Sequence, residues 1–82
     1  MNKSFGTGEF VKCLTSKKFN FYPKLSGNSS HVKYFNKDGK TGTYPFIEVQ
    51  MGKKCYGHNS CERYIQQLKK FGFRKEEIEK NL

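Results

Sequence analysis

Two alternating runs joined by a turn constrain this chain more than any other feature. In residues 30–36, Val32 and Tyr34 fall on one side of an extended segment, while His31, Lys33 and Phe35 fall on the other. The segment Asn36-Lys37-Asp38-Gly39-Lys40 follows, and its Asp-Gly pair is a hairpin signal. Residues 43–51 then alternate again, with Ile47, Val49 and Met51 opposed to Phe46, Glu48 and Gln50. Pro45 puts this strand at an edge, or itself near the strand's start. A hairpin with one apolar face has to bury that face against something.

The flanking segments supply the cover. Phe10, Val11 and Leu14 recur at helical spacing, which predicts a helix over residues 8–18 with Thr7 as its cap and Glu9 in the first turn. Phe19, Asn20, Phe21 and Tyr22 before Pro23 predict a short strand. Residues 25–30 are a polar loop. Downstream, Cys61, Tyr64, Ile65, Leu68 and Phe71 form one helical stripe, with Arg63, Gln66, Gln67, Lys69 and Lys70 away from it. Asn59 and Glu62 have the spacing of a capping box, and Gly72 suits a terminator. Residues 74–81 are expected to add a short charged turn or two anchored by Ile78. The expected fold is α+β: a two-layer sandwich of order α-β-β-β-α, with both helices on one face of a three-stranded antiparallel sheet and the other face open.

Size limits this to one domain, since a chain of 82 residues buries only roughly 60% of its unfolded surface. The hydrophobic fraction is 34%, and aromatic residues make up 16% of the chain, so rings must supply much of the core. No apolar run approaches the roughly 20 residues that span a bilayer, and residues 1–6 carry no hydrophobic signal core. Three cysteines without framework spacing suit a reducing compartment, so a cytoplasmic protein is expected.

Sixteen Lys and Arg against seven Asp and Glu give a formal charge of +9, which points to a polyanionic partner. Fourteen of the sixteen cations are Lys, which also suits plain solvation of the surface. Three doublets, Lys17-Lys18, Lys53-Lys54 and Lys69-Lys70, are candidate phosphate contacts. Phe35 and Tyr22 are candidates for stacking on unpaired bases, although rings in so small a chain are more often core. Cys55, His58 and Cys61, with Cys13 brought in by folding, form an alternative zinc set whose spacing is not that of a common finger or ribbon. No cofactor motif, paired-carboxylate site or Ser-His-Asp arrangement is visible.

The pattern Glu9-Phe-Val-Lys-Cys-Leu14, the aromatic strand after it, the stretch Gly27-Asn-Ser-Ser-His31-Val-Lys-Tyr34 and the closing Ile65-Gln-Gln-Leu-Lys-Lys-Phe-Gly72 resemble the HicA (YcfA-like) toxins. The resemblance implies a double-stranded-RNA-binding-domain-like fold and an mRNA endoribonuclease restrained by a HicB-like antitoxin. It implies that His31, the counterpart of the histidine in that family's Gly-Ser-His signature, is the catalytic residue. Chemically, an imidazole can take the proton of a 2′-hydroxyl near neutral pH. Lys33 on the same face can offset phosphate charge, and Ser29 and Ser30 are candidate phosphate or 2′-hydroxyl contacts. A second expectation is a non-catalytic RNA- or protein-binding module on the same fold, of the kind carried by mobile elements. Asn28 and Ser29, which separate Gly27 from the Ser30-His31 pair, favour it.

Overall fold

The computed structural model describes residues 4–24 and 30–82. It has the expected α-β-β-β-α order: α1 (Thr7–Thr15), β1 (Phe21–Lys24), β2 (His31–Asn36), β3 (Phe46–Gln50) and α2 (His58–Lys70), followed by a short α3 (Lys75–Lys80). The three strands form one antiparallel sheet in the order β1-β2-β3, so the strand that carries His31 is central. Pro23 lies within β1, opposite Tyr34. An edge strand tolerates a residue with no N–H to donate.

Alternation sorts the sheet's side chains as expected. Phe21, Tyr34, Ile47 and Val49 are buried, and they pack with Phe10, Cys13 and Leu14 of α1, with Cys61, Tyr64, Ile65 and Leu68 of α2, and with Ile78 of α3. Rings dominate this layer. Phe5, Phe10, Tyr56 and Tyr64 form one aromatic cluster, with Phe10 and Tyr64 centroids 4.5 Å apart, and Phe19, Phe21, Phe71 and Phe73 form another.

Several local expectations are corrected. Thr7 is not the cap of α1; Gly6 is, and its N–H donates to Glu9 Oε1 at 2.8 Å. The Thr7 side chain instead turns inward. Its Oγ1 accepts the Lys53 N–H at 3.0 Å and lies 2.8 Å from the Gln50 carbonyl and 2.9 Å from the Tyr56 hydroxyl, tying α1 to the segment after β3. α1 stops at Thr15, and β1 starts only at Phe21 because Asn20 adopts a positive φ of 60°. Asn is among the few residues that take that conformation readily. The hairpin is not tight, since residues 37–45 separate its strands. Buried Asn36 organises the connection: its Nδ2 donates to Phe19 O at 2.8 Å, and its Oδ1 accepts the N–H groups of Asp38 and Lys40. The capping box of α2 does not form; Gly57 is the N-cap, and Asn59 lies inside the helix. Gly72 ends α2 as expected, with φ 104°.

Gly6 is held by a close approach. An added Cβ there would overlap the Lys54 carbonyl and lie 2.6 Å from Lys53 O, whereas at Gly8, exposed in the same helix, it would meet nothing within 4 Å. Gly6→Ala is therefore expected to cost about 1–3 kcal/mol through backbone displacement. Gly8→Ala is expected to add roughly 0.5–1 kcal/mol by restricting the unfolded chain. Urea titration of the two variants checks both signs.

Burial pushes the Tyr56 phenol up to about 12, against the opposing pull of its hydrogen bond with Thr7. An unfolded tyrosine loses its proton near 10. The folded state therefore holds a proton that the unfolded state releases, and the resulting stability is complete below about pH 10 and is lost as pH rises toward about 12. Urea midpoints should fall across that window, and fall less steeply in Tyr56→Phe. Parallel slopes in the two proteins would show that Tyr56 titrates as an exposed phenol.

Candidate RNA-contacting face

The face of the sheet turned away from the helices carries the groups of interest, because period-2 alternation that buries Tyr34, Ile47 and Val49 must turn their neighbours outward. Strand register sets them side by side. His31 lies opposite Gln50, Lys33 opposite both Glu48 and Lys24, and Phe35 opposite both Phe46 and Tyr22.

A groove of about 440 Å³ opens at the β3 side of this face. Its floor comes from His31, Lys33, Phe46, Glu48 and Gln50, with Tyr44 at one side, and its far wall from Ser60, Arg63, Tyr64 and Gln67 of α2. The wall is fixed to the sheet through Tyr64, whose hydroxyl accepts the Gln50 N–H at 3.0 Å. His31 is exposed, and its Nδ1 lies 3.3 Å from Ser30 Oγ. The ladder continues one residue past the strand, with Met51 N–H donating to Ser30 O at 2.8 Å. The groove thus combines an imidazole, an ammonium, a guanidinium, a carboxylate and two amides at one solvent-facing place. Such a set can bind a phosphodiester, move a proton and offset charge that builds on phosphate.

Aromatic rings cross the same face. Tyr22 and Phe35 centroids are 6.1 Å apart, Phe35 and Phe46 5.6 Å, and Phe46 and Tyr44 5.9 Å. Lys33 Nζ lies 4.7 Å above the Phe46 ring and Lys24 Nζ 5.6 Å above that of Phe35. Contacts of this kind are worth about 0.5–1 kcal/mol at exposed sites.

Of the residues singled out from sequence, His31, Lys33 and Ser30 come together here. Ser29, with Gly27 and Asn28, lies outside the described residues. The lysine doublets are exposed but do not line the groove. Lys53 sits at the start of α1, where its carbonyl accepts the Thr7 N–H, while Lys17 and Lys18 follow the other end of that helix, roughly 12 Å away at 1.5 Å per residue. Lys18 also forms an ion pair with Glu77 at 3.1 Å, which holds that carboxyl below its ordinary value. Lys69 and Lys70 close α2. Lys24 and Lys33 share the open face, and Arg63 of α2 lines the groove at its β3 side. Lys24 and Arg63 carried no sequence signal beyond their charge. Phe46, Glu48 and Gln50 were placed on the outward side by alternation, and only register brings them beside His31.

The residues of the zinc alternative are divided between core and surface. Cys61 is buried, with its Sγ 3.6 and 3.7 Å from the carbonyl oxygens of Phe5 and Tyr56, and Cys13 is in the core, where burial pushes its thiol up to about 12. Cys55 and His58 are exposed, and among the described residues no three His, Cys, Asp or Glu side chains converge as a ligand set. No helix of the described residues is long and apolar enough to cross a membrane. No protein-family model, curated protein or solved structure matches this chain, which leaves the chemistry of its open face as the guide to its role.

Proposed function

We propose that this chain is an RNA-binding protein of HicA type that cleaves RNA in the cytoplasm, with a HicB-like antitoxin as its restraining partner. The observation that carries this reading is the placement of His31 and Lys33 on the outward face of the central strand, in a groove walled by Arg63 and open to solvent. His31 takes the proton of a 2′-hydroxyl as that oxygen bonds to the adjacent phosphorus. The bond from phosphorus to the 5′ oxygen breaks, water supplies the proton to the departing oxygen, and the products carry a 2′,3′-cyclic phosphate and a 5′-hydroxyl. Lys33 and Arg63 offset the negative charge that builds on the phosphate oxygens. The net charge of +9 brings the polymer to the surface, through contacts that weaken steeply as salt rises.

Incubation of the purified protein with end-labelled RNA at low and high salt tests the reading. Fragments ending in a cyclic phosphate support it, and RNA neither held nor cut at low salt refutes it. A second reading, a non-catalytic RNA-binding module, is favoured by the aromatic rings of the same face, which phosphodiester cleavage does not require. RNA held without cleavage would select that reading.

A further inference from the structure

Nine of the thirteen aromatic residues are buried in the core, and the four that are not, Tyr22, Phe35, Phe46 and Tyr44, stand in one row across the open face. A chain this poor in apolar residues would gain most by burying every ring it has. Cross-strand packing accounts for Phe35 against Phe46. It accounts likewise for Tyr22 against Phe35, although Tyr22 stays 40% exposed, but not for Tyr44, which precedes β3 and is 60% exposed. These are the exposed large hydrophobic residues among those described.

We infer that this row is a stacking platform for the unpaired bases of a single-stranded RNA segment, which makes single-stranded RNA, and not a duplex, the substrate class of the face. The inference rests on the RNA reading above and specifies it. The rings are spaced 5.6–6.1 Å apart, well beyond the roughly 3.4 Å rise of a stacked strand. That spacing suits bases splayed out one by one. Charge complements the row. Lys24 and Lys33 face each other across β1 and β2 on the same side of the sheet, a like-charged pair offset only on the β3 side, where Glu48 lies opposite Lys33. Each ammonium sits over a ring of the row. A base that docks on Phe35 or Phe46 takes the place of that ammonium, which turns to the adjoining phosphate. His31 lies four residues before Phe35 on the same strand and face, about 13 Å from the row at roughly 3.3 Å per residue, so a strand seated on the row reaches the imidazole with a further stretch of its backbone, past Lys33.

The test is fluorescence anisotropy with three labelled probes of equal length: single-stranded RNA, blunt duplex RNA, and a single strand in which the central nucleotides are abasic. The platform predicts binding of the intact single strand at least about tenfold tighter than of the abasic strand. Tyr44→Ala should weaken the intact strand by about fivefold or more and leave the abasic strand unchanged, with Tyr44→Phe restoring the affinity. Unchanged thermal melting controls for folding, which exposed Tyr44 is not expected to disturb. Equal affinity for intact and abasic strands, or tighter duplex binding, would overturn the platform while leaving RNA binding in place. Failure to bind any of the three probes at low salt would overturn the RNA reading itself and the platform with it.

Discussion

His31→Ala is expected to lower RNA cleavage by about 10²- to 10⁴-fold, the usual contribution of a positioned acid or base, while leaving the thermal melt unchanged. The two halves of this result have separate causes. The imidazole is solvent-exposed on the outward side of β2, so its loss opens no cavity in the core. The inward neighbours Val32 and Tyr34, which hold the strand to the core, are untouched. Retained RNA binding in the variant would separate chemistry from affinity, because Lys24 and Lys33 on the face and Arg63 at the groove remain. In cells, growth arrest on expression should disappear with the same substitution. Cleavage that persists at the wild-type rate would leave His31 without a chemical role.

Phe10→Ala is expected to have the largest effect on stability, a loss of about 3–5 kcal/mol. Phe10 is fully buried, and its ring lies against Phe5, Tyr56 and Tyr64 at centroid distances of 5.4, 6.5 and 4.5 Å. Through that cluster it joins α1 to the segment after β3 and to α2. Two of the rings around the cavity carry hydroxyls already committed to the Gln50 strand end, so the site cannot collapse without breaking those hydrogen bonds. Small domains hold about 5–15 kcal/mol in all. The melting temperature should therefore fall by roughly 12–40 °C, at about 4–8 °C per kcal/mol, as circular dichroism would show, and a melt shifted by only a few degrees would mean that the cluster relaxes around the void.

The fold was legible because three kinds of pattern agreed. The period-2 runs gave β2 and β3 their inward and outward sides, the 3.6-period stripe gave α2, and the shortage of aliphatic residues implied a core of rings. Boundaries were less legible, each for a local reason. Asn20 enters the left-handed region and delays β1, the Thr7 hydroxyl is drawn to Gln50 and Tyr56 instead of capping α1, and Asn36 braces a connection that Asp38-Gly39 alone would have made short. At the site, His31 and Lys33 follow from alternation within one strand. Arg63 and Tyr44 do not, since their place depends on how α2 and the residues before β3 lie against the sheet, which no spacing encodes. The lysine doublets show the converse: conspicuous in sequence, they are separated by the fold, two of them at opposite ends of α1. The zinc set is split differently: Cys13 and Cys61 belong to the core, while Cys55 and His58 are exposed.

The most direct measurement is a ¹H–¹⁵N spectrum of the labelled protein titrated with a short single-stranded RNA. Shifts should concentrate at Tyr22, His31, Lys33, Phe35, Tyr44, Phe46 and Arg63, and the amides of α1 and α3 should stay in place. Shifts that centre on the helical layer and its lysine doublets, with the open face of the sheet unmoved, would contradict the account.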